Sequence, residues 1–186
     1  MRSNALGSLL ALVFALLPAG AMAQLTNENL LVQLPPGYKV GFQNKNANMQ
    51  MTELVPASET VTSWTEMVTI QIFRGLKATP DQFRERLETR WRESCPGGDG
   101  QAIARDTTNG YPSSVWSLSC PRNPATGKPE ITFFKAVQGN DSVYVVQKAF
   151  KFTPSKDQVA QWVGYLGTVS VCDSRLRDRQ CPRTDR

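Results

Sequence analysis

The sequence contains no histidine among its 186 residues. That absence excludes activation of a nucleophile by histidine, a histidine general base and imidazole ligation of a metal. The four cysteines include no C-x-x-C pair, the close spacing that a zinc site requires. The formal net charge is only +5, a small excess for a nucleic-acid-binding protein. The sequence therefore predicts no metal or other cofactor, no nucleic-acid partner and no enzymatic activity.

Pairs of carboxylates remain as a route to catalysis, because a glycosidase-type hydrolysis needs two carboxyl groups and no histidine. The candidates are Glu53, Glu59, Glu66 and Glu130. Sequence spacing across separate strands does not bring two of them together, so we favour solvated charges at strand ends and in loops. A carboxylate-dependent hydrolase is kept as the less favoured alternative.

The first 23 residues have the pattern of a secretory signal peptide. Arg2 precedes an apolar run over residues 6–17, and Ala-Met-Ala at residues 21–23 is a small-x-small cleavage motif. A membrane anchor is the alternative, but the run is shorter than the about 20 residues that span a bilayer. We predict cleavage after Ala23 and a periplasmic or secreted protein without a transmembrane segment.

All four cysteines follow the predicted cleavage site, where an oxidising compartment favours disulfide bonds. Three pairings are possible, and we favour Cys95–Cys120 with Cys172–Cys181. The first bond would join the end of a predicted helix to the end of a predicted strand. The second would close an arginine-rich segment. We therefore divide the chain into a signal peptide (1–23), one domain (24–172) and a disulfide-pinned tail (173–186).

Residues 101–152 contain four segments rich in β-branched and aromatic residues, separated by Asn109-Gly110, by a loop with three prolines and by Gly139-Asn140-Asp141. These are turn signals, so the pattern predicts an antiparallel meander of four strands. Three further strands are predicted at residues 38–44, 51–55 and 66–74.

A helix is predicted on either side of the meander. In the first, Thr79 is an N-cap, Pro80 suits the first turn, and an apolar stripe includes Trp91. The second is capped by Thr153 or Ser155 and has an apolar stripe of its own. The order predicts an α+β fold, with an antiparallel β-sheet of six or seven strands and two main helices packed against it.

This element order, with Leu-Pro-Pro-Gly-Tyr at residues 34–38 before the first strand, resembles the Mog1/PsbP-like fold group. The resemblance covers nearly all of the chain after residue 23. It implies an antiparallel sheet between helices, as in the small exported proteins of that group, and an adaptor or assembly role.

Four polar residues inside predicted strands form the first candidate binding feature. Thr69 and Gln71 share the less apolar face of the third strand, and we expect Lys135 and Lys148 of the meander near them. Such residues line a groove or else face water, and the second interpretation is favoured.

Two further features are candidates. Arg175, Arg177 and Arg179 in the tail could make weak contact with an anionic envelope surface, although interspersed aspartates favour a solvated tail. Trp64 precedes the third strand. It is a partner site if it is exposed and a cap on the sheet if it is buried, and we favour burial.

Together these patterns predict an exported periplasmic, non-catalytic binding or assembly module whose partner is another envelope protein. The alternative from a different class is a carrier of a small amphiphilic ligand. A carrier requires an apolar cavity of several hundred Å³ between a helix and the sheet.

Overall fold

The computed structural model describes residues 23–184. The predicted signal peptide lies outside the described residues up to position 22, as do residues 185 and 186 of the tail. The strands are β1 (Ala23–Gln24), β2 (Glu28–Leu31), β3 (Tyr38–Lys45), β4 (Met49–Pro56), β5 (Glu66–Arg74), β6 (Asp99–Thr108), β7 (Tyr111–Cys120), β8 (Glu130–Gln138), β9 (Ser142–Phe150), β10 (Ser170–Asp173) and β11 (Arg183–Thr184). The helices are α1 (Pro80–Ser94), α2 (Lys156–Thr168) and a short 3-10 turn at Arg177–Arg179.

Seven strands form one antiparallel sheet in the order β3-β4-β5-β9-β8-β7-β6, so the last strand of the meander lies at its centre. Successive side chains of a strand point to opposite faces. Phe134 of β8 packs in the cluster under α1, whereas Phe133 packs in the cluster under α2. The prediction of an α+β fold, with an antiparallel sheet of six or seven strands and two main helices packed against it, is confirmed. The sheet has seven strands, and one helix packs on each face.

Both helices begin with a capping box. The Thr79 hydroxyl accepts a hydrogen bond from the backbone N–H of Gln82, whose side chain accepts one from the N–H of Thr79. Ser155 and Gln158 repeat this arrangement at α2, so Ser155 is the cap. Each box satisfies two backbone donors that the first turn of a helix leaves unpaired.

Residues 24–33, for which the sequence predicted no strand, contain β2, which pairs antiparallel with β10. The segment after the domain boundary predicted at residue 172 begins inside this pairing, because Asp173 is the last residue of β10 and is fully buried. The three-part division of the chain stays a prediction.

Both predicted disulfides, Cys95–Cys120 and Cys172–Cys181, are confirmed. The first joins the C-terminal end of α1 to the end of β7. Disulfides of this kind are typical of proteins in oxidising compartments. Among residues 23–184 there is no helix long and apolar enough to cross a membrane.

Candidate functional site

A lysine is buried on the α2 face of the sheet. Lys148, on the central strand β9, has a side chain with no exposed surface. Its Nζ donates to Oε2 of Glu66 at 2.6 Å and to the hydroxyl of Tyr38 at 2.5 Å. The same ammonium lies 3.9 Å from the ring centroid of Trp162 and 4.5 Å from that of Phe150. A buried ammonium is thus paired with one carboxylate and surrounded by aromatic faces, which attract cations.

Strand register explains why these groups meet. Val68 of β5 pairs with Lys148, so Glu66, two residues earlier, lies on the same face one step along the strand. Tyr38, the first residue of β3, approaches from the edge of the sheet and donates to the same Glu66 oxygen at 2.9 Å. Trp162 reaches the cluster from α2. We call Tyr38, Glu66, Lys148 and Trp162 the lysine cluster.

The lysine cluster perturbs two titrations. Burial disfavours the charged ammonium and lowers the pKa of Lys148 from 10.5 to about 8, although Glu66 and Glu59 oppose this effect. Burial and the hydrogen bond to Glu66 raise the pKa of Tyr38 far above its usual value. Tyr38 therefore stays a neutral donor, and Lys148 loses its proton at a much lower pH than an exposed lysine.

A groove of about 360 Å³ opens above the lysine cluster, between α2 and the chain segments next to β3 and β4. We call it the α2 groove. Its lining consists of Pro35, Pro36, Tyr38, Pro56, Glu66, Gln158, Gln161, Trp162 and Tyr165. The surface is mostly apolar, and its polar groups are two glutamines, one carboxylate and the hydroxyls of Tyr38 and Tyr165.

The second predicted lysine has a structural role. Lys135 of β8 is buried on the α2 face, where its Nζ donates to the backbone carbonyls of Val169 at 2.7 Å and Gly167 at 3.3 Å. These carbonyls lie at the C-terminal end of α2, which carries the negative end of the helix dipole. Lys135 thus caps α2 and does not line the α2 groove.

Thr69 and Gln71 are not neighbours of the two lysines. Thr69 pairs with Gln147 and Gln71 with Val145, and these partners lie on the opposite face of β9 from Lys148. Thr69 lines a second groove, on the α1 side of the sheet, together with Trp64. Trp64 is half-buried, and Nζ of Lys151 lies 3.7 Å from its ring centroid.

The arginines of the tail are used differently from one another. Arg175 forms ion pairs with the buried Asp173 at 2.6 Å and with Asp141 at 2.8 Å. The Arg179 guanidinium lies over the ring of Tyr111, with its Cζ atom 4.1 Å from the ring centroid. Arg177 is exposed. Two of the three candidate surface arginines therefore hold the C-terminal segment on the domain.

The four candidate glutamates are divided among three places. Glu66 is paired with Lys148, and Glu59 accepts hydrogen bonds from the backbone and hydroxyl of Thr65. Glu53 and Glu130 line the same groove on the α1 side. The structure thus brings one pair of these carboxylates to a shared groove.

Sequence reasoning named Lys148 as a candidate but missed the partnership of Tyr38 and Trp162. The available signal was a lone charged residue in β9, a strand otherwise composed of apolar residues, small residues and glutamine. A lysine in such a strand is buried and requires a partner.

Several solved structures are similar to this chain, including the following two. A mutant of the protein Mog1 has 11% identity and a TM-score of 0.43, covering 75% of this chain and 85% of its own. The solution structure of cyanobacterial PsbP (CyanoP) from Synechocystis has 10% identity and a TM-score of 0.49, covering 85% of this chain and 98% of its own. Both names are those of the fold group that the element order resembles. No protein-family model and no curated protein sequence matches the chain.

Proposed function

We propose that this protein is an exported, non-catalytic binding module that holds an extended segment of another envelope protein in the α2 groove. The observation that carries the proposal is an open aromatic groove whose floor is a fixed, buried ion-pair cluster. The two disulfides and the predicted signal peptide support export.

The aromatic walls of the groove are held in place before any partner binds. The rings of Tyr38 and Trp162 meet edge to face with centroids 5.4 Å apart, and Trp162 and Tyr165 do so at 5.2 Å. The Tyr165 hydroxyl donates to the backbone carbonyl of Gln33 at 2.7 Å. Rigid tyrosine and tryptophan side chains bind partners with little loss of conformational entropy, and they dominate binding energies at protein interfaces.

The chemistry of the lining favours an uncharged extended peptide. Glu66, the charged residue of the lining, is neutralised by Lys148, so the groove attracts neither an anionic nor a cationic segment strongly. Aromatic grooves bind extended, proline-containing segments, whose apolar side chains pack between the rings. The amides of Gln158 and Gln161 lie at the rim, where they can pair with the peptide backbone.

A small amphiphile is the second candidate occupant. A volume of about 360 Å³ falls within the about 300–1,000 Å³ typical of ligand sites. An amphiphile would place its apolar part against Trp162 and Tyr165 and its polar part at the glutamine rim. It would occupy the same groove, so one experiment distinguishes the two occupants.

The test is photocrosslinking from a single residue at the rim. A photoreactive amino acid at Gln161, which is exposed and lines the groove, is compared with one at Ala160, which is exposed and is not part of the lining. In the native cell envelope we expect position 161 to crosslink to one segment of one protein, identified by mass spectrometry. Position 160 should give no such adduct.

A blocking variant gives the second measurement. Gln161→Arg adds a bulky charge to the groove, and Ala160→Arg adds the same charge beside it. Only the first should abolish binding of a synthetic peptide with the crosslinked sequence. Adducts with lipids or other amphiphiles at position 161 would replace the peptide proposal with the carrier, and equal adducts at both positions would refute both.

A further inference from the structure

A second groove lies on the α1 face, at the strands that α1 leaves uncovered. Helix α1 packs on β6, β7 and β8, and the sheet continues beyond it into β9, β5 and β4. The groove has a volume of about 290 Å³, and we call it the tryptophan groove. Trp91 of α1 forms one wall, and Trp64, in the loop before β5, forms another.

Both tryptophans are fixed from outside the groove. The Trp91 indole N–H donates to the backbone carbonyl of Ser119 at 2.8 Å. The ammonium of Lys151 lies over the ring of Trp64. Two anchored aromatic walls around one space form a built site rather than a surface irregularity.

The floor of the tryptophan groove contains an unpaired buried hydroxyl. Thr132 of β8 is 2% exposed and lines the groove, and within residues 23–184 its Oγ1 has no hydrogen-bond partner. A buried polar group without a partner costs about 1–3 kcal/mol. The presence of this unpaired hydroxyl is explained if a bound molecule supplies its hydrogen-bond partner.

The other polar groups of the groove are two carboxylates, which only accept hydrogen bonds, and a hydroxyl and an amide, which both accept and donate. They are the carboxylates of Glu53 and Glu130, the hydroxyl of Thr69 and the amide of Gln147. Burial raises the pKa of the Glu53 carboxyl, as expected for a group partly removed from water. A matching ligand must therefore carry several hydroxyl or amide donors.

We propose that the tryptophan groove binds a saccharide ring. A pyranose ring presents polarised C–H groups on its faces and hydroxyl groups around its edge. The C–H groups pack on the negative faces of indole rings, and the hydroxyls can reach Glu53 and Gln147. The Thr132 hydroxyl, which is closed to water in the free protein, becomes a third partner once its side chain rotates toward the groove. The volume lies at the lower end of ligand sites, so one or two sugar units fit, and a longer glycan would extend into solvent.

Two other ligand classes match the lining less well. An apolar peptide side chain would leave the Thr132 hydroxyl and the Glu53 carboxylate without partners, which costs binding free energy. Glu130 already accepts a hydrogen bond from the Asn123 amide at 2.6 Å. A simple organic cation would pair with Glu53 and Glu130, but Lys151 already places an ammonium over the Trp64 ring and repels a second cation.

The test uses neutral trisaccharides as probes, namely an N-acetylglucosamine trimer and maltotriose, with spermidine as the cationic comparison. Binding to residues 24–186 is measured by calorimetry and by the NMR signals of the indole N–H groups. We expect at least one trisaccharide to bind and to shift the signals of Trp64 and Trp91.

Thr132→Val separates a ligand role from a structural one, because it removes the hydroxyl and preserves the volume. We expect unchanged or higher thermal stability together with about two- to tenfold weaker saccharide binding, the effect of one hydrogen bond. Thr52→Val is the matched control, since Thr52 is a buried threonine on the α2 face and accepts from Gln43. It should bind the saccharide as the unmodified protein does.

Three outcomes would overturn the proposal. They are the absence of binding by both trisaccharides, binding of spermidine alone, and full saccharide affinity in Thr132→Val. The Gln161→Arg variant of the α2 groove should leave saccharide binding unchanged, so failure of either groove proposal is distinguishable from failure of the other.

Discussion

Replacing Lys148 by methionine should remove a pH dependence of stability that the buried ammonium imposes on the fold. In the unfolded chain a lysine titrates near 10.5, whereas burial lowers the pKa of Lys148 to about 8 in the folded protein. Between these values the unfolded state holds more protons than the folded state. Stability therefore rises with pH across this window, because deprotonation relieves the cost of the buried charge.

The magnitude follows from the two pKa values. With 10.5 unfolded and about 8 folded, linkage gives a rise of about 2 kcal/mol in the free energy of unfolding between pH 7 and pH 9.5. The titratable groups that face the Lys148 ammonium are Tyr38, Glu66 and Glu59. Burial raises the pKa of Tyr38, so it loses no proton from the folded state in this range. Ending the series at pH 9.5 also keeps most tyrosines of the unfolded chain protonated.

The assay is urea unfolding followed by circular dichroism at several pH values between 7 and 9.5, with the disulfides intact. Between pH 7 and pH 9.5, the increase in the free energy of unfolding should be about 2 kcal/mol larger for the unmodified protein than for Lys148→Met. Burial also lowers the pKa values of Lys135 and Lys151, but both proteins retain those residues, so the comparison isolates Lys148.

Lys45→Met is the control, because Lys45 is exposed on the edge strand β3. It should follow the unmodified curve. If Lys148→Met also followed that curve, the ammonium would not be desolvated in the folded state. The account of the lysine cluster as a buried, preorganised floor would then be wrong.

Two further predictions concern the scaffold. Lys135→Met should lower the free energy of unfolding by about 1–3 kcal/mol, because the Val169 carbonyl loses its buried donor. Hydrogen exchange of the backbone amides in the last turn of α2 should become faster, and an unchanged exchange rate would contradict the capping role. Replacing Cys95 and Cys120 together with serine should lower the free energy of unfolding, measured by thermal unfolding, by about 3 kcal/mol. This bond closes a longer loop than Cys172–Cys181, so its removal should destabilise the protein more. An equal or smaller loss of stability than that from replacing Cys172 and Cys181 would contradict this expectation.

Much of the fold follows from local patterns in the sequence. The turn at Asn109-Gly110, the capping boxes and the alternating strands each determine their structure over a few residues, so the order of elements was predictable. Strand β2 was not, because its four residues show no alternation of apolar and polar side chains. Its partner β10 lies near the other end of the chain, and only tertiary pairing makes it a strand.

The candidate site was less predictable for a related reason. The sequence indicates that Thr69 and Gln71 share a face of β5, but not which face of β9 lies beside them. That depends on the register between the strands, and a shift of one residue would place Lys148 with Thr69 instead of Glu66. The two grooves likewise depend on which strands α1 and α2 leave uncovered, which is a property of packing.

The pairing of β2 with β10 also affects the order in which the molecule can fold. About 140 residues separate the two strands, and closing so long a loop is slow and comes after local structure has formed. As the chain emerges during synthesis or translocation, Glu28–Leu31 must wait without its partner until Ser170–Asp173 has followed. Its leucines are exposed during that interval, so chaperone binding and aggregation should concentrate at this segment before assembly is complete.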